Sequence, residues 1–284
     1  MYDCIIIGTG AAGVSAALTL KALKINFLWL GDKNLSRKIR SAEKIKNYPG
    51  LTAVSGEEMQ KAFLSQIADA GIEITEGKVN GVYPMGNTFS VMCGQVTYEG
   101  KSVIIATGVE TIKPVKGEAE YLGRGVSYCA VCDGFLYKDK TIAVYCESAE
   151  EVNEVQLLAK YASQIYLFCP EKINFEIPNV KRVGSRIKEM KGDMRIRTVV
   201  GENGEFAVDG VFMLKQSFGA DTIVYGLKTE GGAVVTDKAQ ATSVAGVFAA
   251  GDCTGRPFQY AKAVGEGNVC AYSVNAYLKS DKVG

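Results

Sequence analysis

Four consecutive apolar residues, Cys4-Ile5-Ile6-Ile7, stand near the start of the chain, and Gly8-Thr9-Gly10-Ala11-Ala12-Gly13 follows at once. Val14 to Leu23 carries apolar residues at helical spacing, and Phe27-Leu28-Trp29-Leu30 is a second short apolar run. Strand, helix and strand within about thirty residues make a βαβ unit. Residues 33–46 are basic (Lys33, Arg37, Lys38, Arg40, Lys44, Lys46) and lack an apolar period, which predicts a loop. Asn47-Tyr48-Pro49-Gly50 predicts a turn, and Gly56 to Ala70 a helix capped by Ser55. Short strands are expected between 72 and 104, and Val103 to Ala106 is a buried strand ending at Thr107-Gly108.

Lys113-Pro114-Val115-Lys116-Gly117 predicts a linker. A second βαβ unit follows: a strand at 141–145, a helix from Glu150 to Tyr161, and a strand from Ile165 to Phe168. Alternation predicts strands near 195–200, 205–215 and 222–225, then a buried strand at 247–250 and a helix from Ala261 to Leu278. Two βαβ units in one chain predict an α/β fold of two related halves.

Composition narrows the chemistry. The 284 residues are 47% hydrophobic with a formal charge of +1, too balanced for a general nucleic-acid surface. No apolar run is long enough to span a membrane. The N-terminus reads directly as a strand rather than a targeting segment, so a cytoplasmic protein is expected. There is no histidine, which removes Ser-His-Asp and Cys-His systems and His-ligated zinc. Of eight cysteines, only Cys129 and Cys132 are close in sequence. Cys4, Cys93, Cys146, Cys169, Cys253 and Cys270 read as small buried hydrophobes.

The glycine string has the context a dinucleotide site needs: a strand before it, a helix after it, and Asp32 nineteen residues beyond Gly13. Gly8 permits the tight turn, Gly10 lets the backbone approach a pyrophosphate, and Gly13 lets the helix pack on the sheet. Asp32 is the candidate ribose partner. At the other end of the chain, Gly246-Val247-Phe248-Ala249-Ala250-Gly251-Asp252 puts an aspartate just past a strand, where it can orient a ribitol. Gly265-Glu266-Gly267 follows near the start of a helix. A simple turn is the alternative for Gly251-Asp252; the combination with the N-terminal string favours FAD.

Cys129-Ala130-Val131-Cys132-Asp133 has a spacing at which two sulfurs close a small ring. Such a pair is redox-active or metal-binding, and no second pair exists to complete a zinc site. With histidine absent, Asp133 is the candidate proton carrier.

The chain resembles the low-molecular-weight flavin thioredoxin reductases over essentially its full length. The matching strings are GTGAAG at 8–13, NYPG at 47–50, IIATG at 104–108, GRGVSYCAVCDGFLYKDK at 123–140 and GVFAAGD at 246–252. The resemblance implies two Rossmann-like three-layer domains, the second inserted into the first. An FAD domain would comprise 1–113 and 242–284, and an insert at 114–241 would carry the redox pair. It implies FAD contacts at Gly8, Gly10, Ala11, Ala12, Gly13, Asp32, Asn47, Ala106, Thr107, Gly108, Gly251, Asp252 and Gln259. It implies catalytic roles for Cys129, Cys132 and Asp133, with Cys132 nearest the flavin and Cys129 attacking the thioredoxin disulfide. A homodimer, and rotation of one domain against the other, are further expectations.

The second βαβ turn departs from the family. Where a glycine-rich NADPH loop is expected, the chain has Cys146-Glu147-Ser148-Ala149-Glu150-Glu151, with no glycine and three carboxylates. Like charges at about 4 Å cost several kcal/mol at an intermediate dielectric. The basic string for a 2′-phosphate is replaced by Phe168-Cys169-Pro170-Glu171. The usual Arg-Gln reads Phe258-Gln259, and the glycine-rich turn after the second strand is replaced by the basic loop. The same two NADPH motifs are missing in ferredoxin-dependent flavin thioredoxin reductases. The expected donor is therefore ferredoxin, not NADPH, and ferredoxin is acidic enough to favour a basic docking face. The run at 33–46, or the cluster Lys181, Arg182, Arg186, Lys188, Lys191, Arg195 and Arg197, would serve; a merely solvated face is the alternative for both. Competing readings are a flavin disulfide oxidoreductase with another donor or substrate, NADPH bound in an unfamiliar way, a flavin redox sensor without turnover, and a zinc module.

Overall fold

The computed structural model describes residues 1–40, 42–109, 115–147, 151–169, 176–215 and 219–280. The apolar run at the N-terminus forms β1 (Cys4–Ile7), buried along its whole length, and leads into α1 (Ala11–Ala22) and β2 (Phe27–Gly31). Next come a single helical turn α2 (Arg37–Arg40) and α3 (Gly56–Asp69). Ser55 caps α3 in a reciprocal capping box: its hydroxyl accepts from the Glu58 N–H and the Glu58 carboxylate accepts from the Ser55 N–H. The short β3 (Thr75–Glu76) precedes an antiparallel meander of β4 (Val79–Met85), β5 (Thr88–Cys93) and β6 (Val96–Gly100), then β7 (Val103–Ile105).

Residues 33–46 were expected to be a loop. They contain α2, and Leu35, Ile39 and Ile45 are almost fully buried. The segment packs on α3 through these side chains and through its backbone: the Gly56 N–H donates to the Ala42 carbonyl, and a Cβ on Gly56 would lie 2.0 Å from the Ile39 oxygen. Tertiary fixation of this kind leaves no period in the sequence.

The second stretch of chain holds β8 (Val126–Ser127), α4 (Ala130–Asp133), β9 (Thr141–Cys146), α5 (Val152–Ala159) and β10 (Gln164–Phe168). It continues with β11 (Val180–Gly184), the meander β12 (Ile187–Gly192), β13 (Ile196–Gly201) and β14 (Glu205–Ala207), and β15 (Gly210–Leu214). A five-stranded parallel sheet in the order β11-β10-β9-β15-β8 is its framework. At the end of β15, the fully buried Lys215 donates at 2.6 Å to Glu118 Oε1, which also accepts from Tyr128 Oη. The Val115 N–H donates to the other Glu118 oxygen. Val115 and Lys116 are thus packed rather than free: Lys116 also bridges Glu189, while residues 113 and 114 of the expected linker lie outside the described residues.

The chain then returns through α6 (Ala220–Ile223), the hairpin β16 (Thr229–Glu230) and β17 (Ala233–Val234), β18 (Val247–Ala249) and the long α7 (Tyr260–Ser280). A helical turn stands where a strand was expected at 222–225; only Val224 is extended, bridging Val82. The first sheet is also parallel and five-stranded, in the order β18-β7-β1-β2-β3. Both sheets are Rossmann-like, with the apolar strands buried on both faces as parallel sheets require.

Two compact units result: Met1–Val109 with Phe218–Gly284, and Glu110–Ser217. The return point lies near 218 rather than 242. The segment from 219 to 241 packs with the first unit because Val224 pairs with β4 and Gln240 accepts the Ala249 N–H of β18.

Candidate functional site

In the first unit, the C-terminal ends of β1, β7 and β18 lie side by side, which is where open α/β sheets bind ligands. Gly8 has φ +107°, and a Cβ there would lie 2.4 Å from the Ala106 carbonyl. Gly13 is equally constrained: its Cβ would meet the Gly8 oxygen at 2.1 Å, and Trp29 Nε1 donates to that same oxygen. Gly10, by contrast, has open space, with Ala106 O no nearer than 4.0 Å to its Cβ position. It is the N-cap of α1, whose first turn carries no acidic side chain, and Ala11 and Ala12 behind it are buried. The three glycines therefore divide into two that pack and one that leaves room in front of the helix N-terminus.

Ala106, Thr107 and Gly108 turn out of β7 beside Gly8. Thr107 Oγ1 is buried without a hydrogen-bond partner, alone in this respect among the described residues. A buried hydroxyl lacking a partner costs about 1–3 kcal/mol, so a bound group that supplies one fits here. Asp32, exposed past β2, accepts the Asn34 N–H at 2.7 Å through one oxygen.

Gly251, with φ +88°, rests against Ala12, and Asp252 follows half-buried. Burial pushes the Asp252 carboxyl up, Lys38 and Lys262 pull it down, and Glu266 raises it again. The turn stands on a network that the sequence reading missed. Glu266 Oε2 accepts from the Gly251 N–H (2.8 Å) and Lys262 Nζ (3.0 Å), and Lys262 also donates to Gly251 O and Thr254 Oγ1. Lys262 and Glu266 one helical turn apart were the available signal. Gly267 serves packing: its Cβ would lie 2.2 Å from Ala12 O, so its lack of one brings α7 onto α1. Asn47 Nδ2 donates to Gln259 Oε1 at 2.6 Å. All the residues expected to contact FAD lie in the first unit.

In the second unit Cys129 and Cys132 form a disulfide with Cα atoms 5.3 Å apart, spanning the start of α4. The Cys132 N–H donates to Cys129 Sγ at 3.1 Å. Cys129 is buried and Cys132 half-buried, so the sulfur expected to attack a substrate belongs to the less exposed residue. Asp133 Oδ2 accepts a 2.6 Å hydrogen bond from Ser127 Oγ, which in turn accepts from the Cys129 N–H. Val131, between the two cysteines, and Phe135 and Leu136, shortly after them in the chain, are exposed apolar side chains. The other six cysteines are buried, and burial drives the Cys4 and Cys253 thiols up to about 12. Among the described residues no group of three or more His, Cys, Asp or Glu could hold a metal.

At the corresponding end of the second sheet, β9 stops at Cys146 and Glu151 stands at the N-cap of α5, 7% exposed. Ser148, Ala149 and Glu150 lie outside the described residues, as do Pro170 and Glu171. Phe168 and Cys169 are completely buried. The helix terminus that would face a pyrophosphate carries the protein's own carboxylate.

The family described as pyridine nucleotide-disulphide oxidoreductase matches residues 2–150 and 179–267. Thioredoxin reductases of Bacillus subtilis and Helicobacter pylori are 32% and 33% identical, each aligned over 98% of this chain and 95% and 99% of theirs. This chain belongs to the low-molecular-weight thioredoxin reductase family. Among solved structures, a ferredoxin-flavin thioredoxin reductase from Clostridium acetobutylicum matches with TM-score 0.92 and 38% identity over 100% of this chain and 99% of that one. A thioredoxin reductase from Gloeobacter violaceus matches with TM-score 0.78 and 29% identity, covering 99% and 95%. The protein is an oxidoreductase of the flavin disulfide reductase type, with its disulfide at Cys129 and Cys132. Members of this family bind FAD, and the orphaned Thr107 hydroxyl, the open space at Gly10 and the acid-free helix start fit that group.

Proposed function

We propose that this chain binds FAD in its first unit and passes electrons from reduced ferredoxin, through the Cys129–Cys132 pair, to the disulfide of thioredoxin. The observation that carries the choice of donor is the buried Glu151 carboxylate at the N-cap of α5. A nucleotide pyrophosphate there would have to share the helix end that attracts it with the buried Glu151 side chain. The likeness to a ferredoxin-flavin thioredoxin reductase supports the same reading. The discontinuous first unit is the FAD domain, and the inserted unit carries the thiol chemistry.

FAD supplies a carrier that accepts electrons singly and delivers them in pairs. Gly10 and the α1 N-terminus would hold its pyrophosphate, Asp32 a ribose hydroxyl and Asp252 the ribitol, and the unpaired Thr107 hydroxyl would find a partner on the bound FAD. Two electrons and one proton convert the disulfide to one thiol and one thiolate. The Cys132 N–H, already 3.1 Å from Cys129 Sγ, is a better donor to a thiolate than to a disulfide sulfur and so favours charge on Cys129. That thiolate attacks one sulfur of the partner disulfide, forming a mixed disulfide and expelling the partner's other sulfur, which takes up a proton. Cys132, deprotonated by Asp133, then attacks Cys129 Sγ, restores the disulfide and releases the second partner thiolate. Val131, Phe135 and Leu136 form the apolar collar on which the partner rests.

The order of the sulfurs is tested by trapping. A Cys132→Ser protein, with its remaining thiol reduced, is expected to accumulate a covalent adduct with oxidised thioredoxin, and Cys129→Ser is not. An adduct formed only by Cys129→Ser would exchange the two roles.

A further inference from the structure

Ser127 ends β8, is 5% exposed, and touches both the sulfur-bearing backbone and the acid. Its oxygen accepts the Cys129 N–H at 3.0 Å, lies 2.6 Å from Asp133 Oδ2, and lies 3.4 Å from the Cys129 carbonyl oxygen. A hydroxyl has one hydrogen, so it serves only one of those two acceptors at a time. An ionised Asp133 takes it, in a short charge-assisted bond. A protonated Asp133 donates to Ser127 Oγ, and the serine hydrogen turns to the Cys129 carbonyl. Both protonation states of the acid then have a partner, while the Cys129 N–H keeps the serine oxygen in place.

We propose that Ser127 is a positioning residue that holds the Asp133 carboxyl and couples it to the Cys129 backbone during thiol–disulfide exchange. The inference rests on the reading of Asp133 as proton carrier. The serine hydrogen goes to the carboxylate at the shorter distance, 2.6 Å against 3.4 Å to the Cys129 carbonyl, so Ser127 fixes the orientation of the acid beside the Cys129 backbone. No atom is lost from the serine in the cycle: the proton taken from Cys132 resides on Asp133 and leaves to the departing thiolate. Other charged or titratable groups also bear on the site. Tyr137 interacts electrostatically with Asp133, Arg195 and Asp209; the Tyr161 ring packs at Gly134; and Cys129 and Cys132 adjoin directly.

The test is the pH dependence of single-turnover thioredoxin reduction by the pre-reduced, FAD-loaded enzyme. Losing a hydrogen bond to the charged form raises a carboxyl, so Ser127→Ala is expected to move the Asp133-dependent break upward by about one pH unit. Ser127→Thr, which keeps the hydroxyl, is expected to restore it. Asp133→Asn is expected to abolish the break, and Ser127→Ala added to it to shift nothing further. A Ser127→Ala profile lowered equally at all pH values, with its break unmoved, would overturn the inference and leave the role of Asp133 intact. A break that persists in Asp133→Asn would overturn the reading of Asp133 itself. Ser127→Gly removes the same hydroxyl without adding an atom and reads the same shift should the alanine variant not fold.

Discussion

Asn47 and Gln259, 212 positions apart in sequence, meet through a hydrogen bond of 2.6 Å from the asparagine amide to the glutamine carbonyl. Both side chains are largely exposed, so the bond joins two surface segments rather than filling the core. It ties the Asn47 turn to the start of α7, next to the strand ends that carry Gly8, Thr107 and Gly251. Tyr260 reinforces the tie by donating its hydroxyl to the Lys38 carbonyl.

A single exposed hydrogen bond contributes about 0.5–1.5 kcal/mol, which corresponds to a several-fold change in affinity if it orders a binding surface. Asn47→Ala and Gln259→Ala are each expected to weaken FAD binding to the apoprotein by about 3- to 10-fold, and the double variant by scarcely more. Fluorescence titration with FAD measures this. Fully additive losses would mean that the two residues act separately.

Asp252 provides a pH-dependent test. Its carboxyl is raised above the ordinary 3.8 chiefly by burial. The folded chain therefore holds this proton more tightly than the unfolded chain, and stability from this group falls as pH rises from 3.8 through the raised value. At pH 7 the ionised carboxylate works against the apoprotein fold. Asp252→Asn is expected to melt at a higher temperature than wild type at pH 7, with the advantage shrinking as pH falls towards 3.8, while FAD binding weakens. A variant no more stable than wild type at pH 7 would contradict this.

The glycines of α7 separate packing from permissiveness. A Cβ at Gly265 meets nothing within 4 Å, whereas one at Gly267 would lie 2.2 Å from Ala12 O. Gly265→Ala is expected to be neutral or to stabilise by about 0.5–1 kcal/mol through helix propensity. Gly267→Ala must push α7 away from α1 and is expected to cost about 1–3 kcal/mol. Chemical denaturation distinguishes them, and equal effects would refute the packing assignment.

These positions also mark how far the sequence could be read. Both parallel sheets were legible because their strands are uninterrupted apolar runs followed by turn residues, as at Cys4–Ile7 and Val247–Ala249. The glycine string and the Cys129–Cys132 pair were legible because their chemistry demands fixed spacing. The support beneath Gly251-Asp252 was not, since Lys262, Thr254 and Glu266 converge only once α7 is docked. Ser127 was equally silent, being a serine two residues before a cysteine whose hydroxyl meets Asp133 only after α4 turns. The burial of Leu35, Ile39 and Ile45 was hidden by the charged residues between them, and the return of the chain at 218 left no change in composition.

Under the proposed function electrons enter from ferredoxin and not from NADPH. Anaerobic mixing of the oxidised, FAD-loaded protein with reduced ferredoxin, NADPH or NADH, followed by flavin absorbance, tests it most directly. Rapid bleaching by reduced ferredoxin and none by either nucleotide is the predicted result, with reoxidation on adding oxidised (disulfide) thioredoxin. Rapid bleaching by NADPH, with ferredoxin inert, would instead make NADPH the donor.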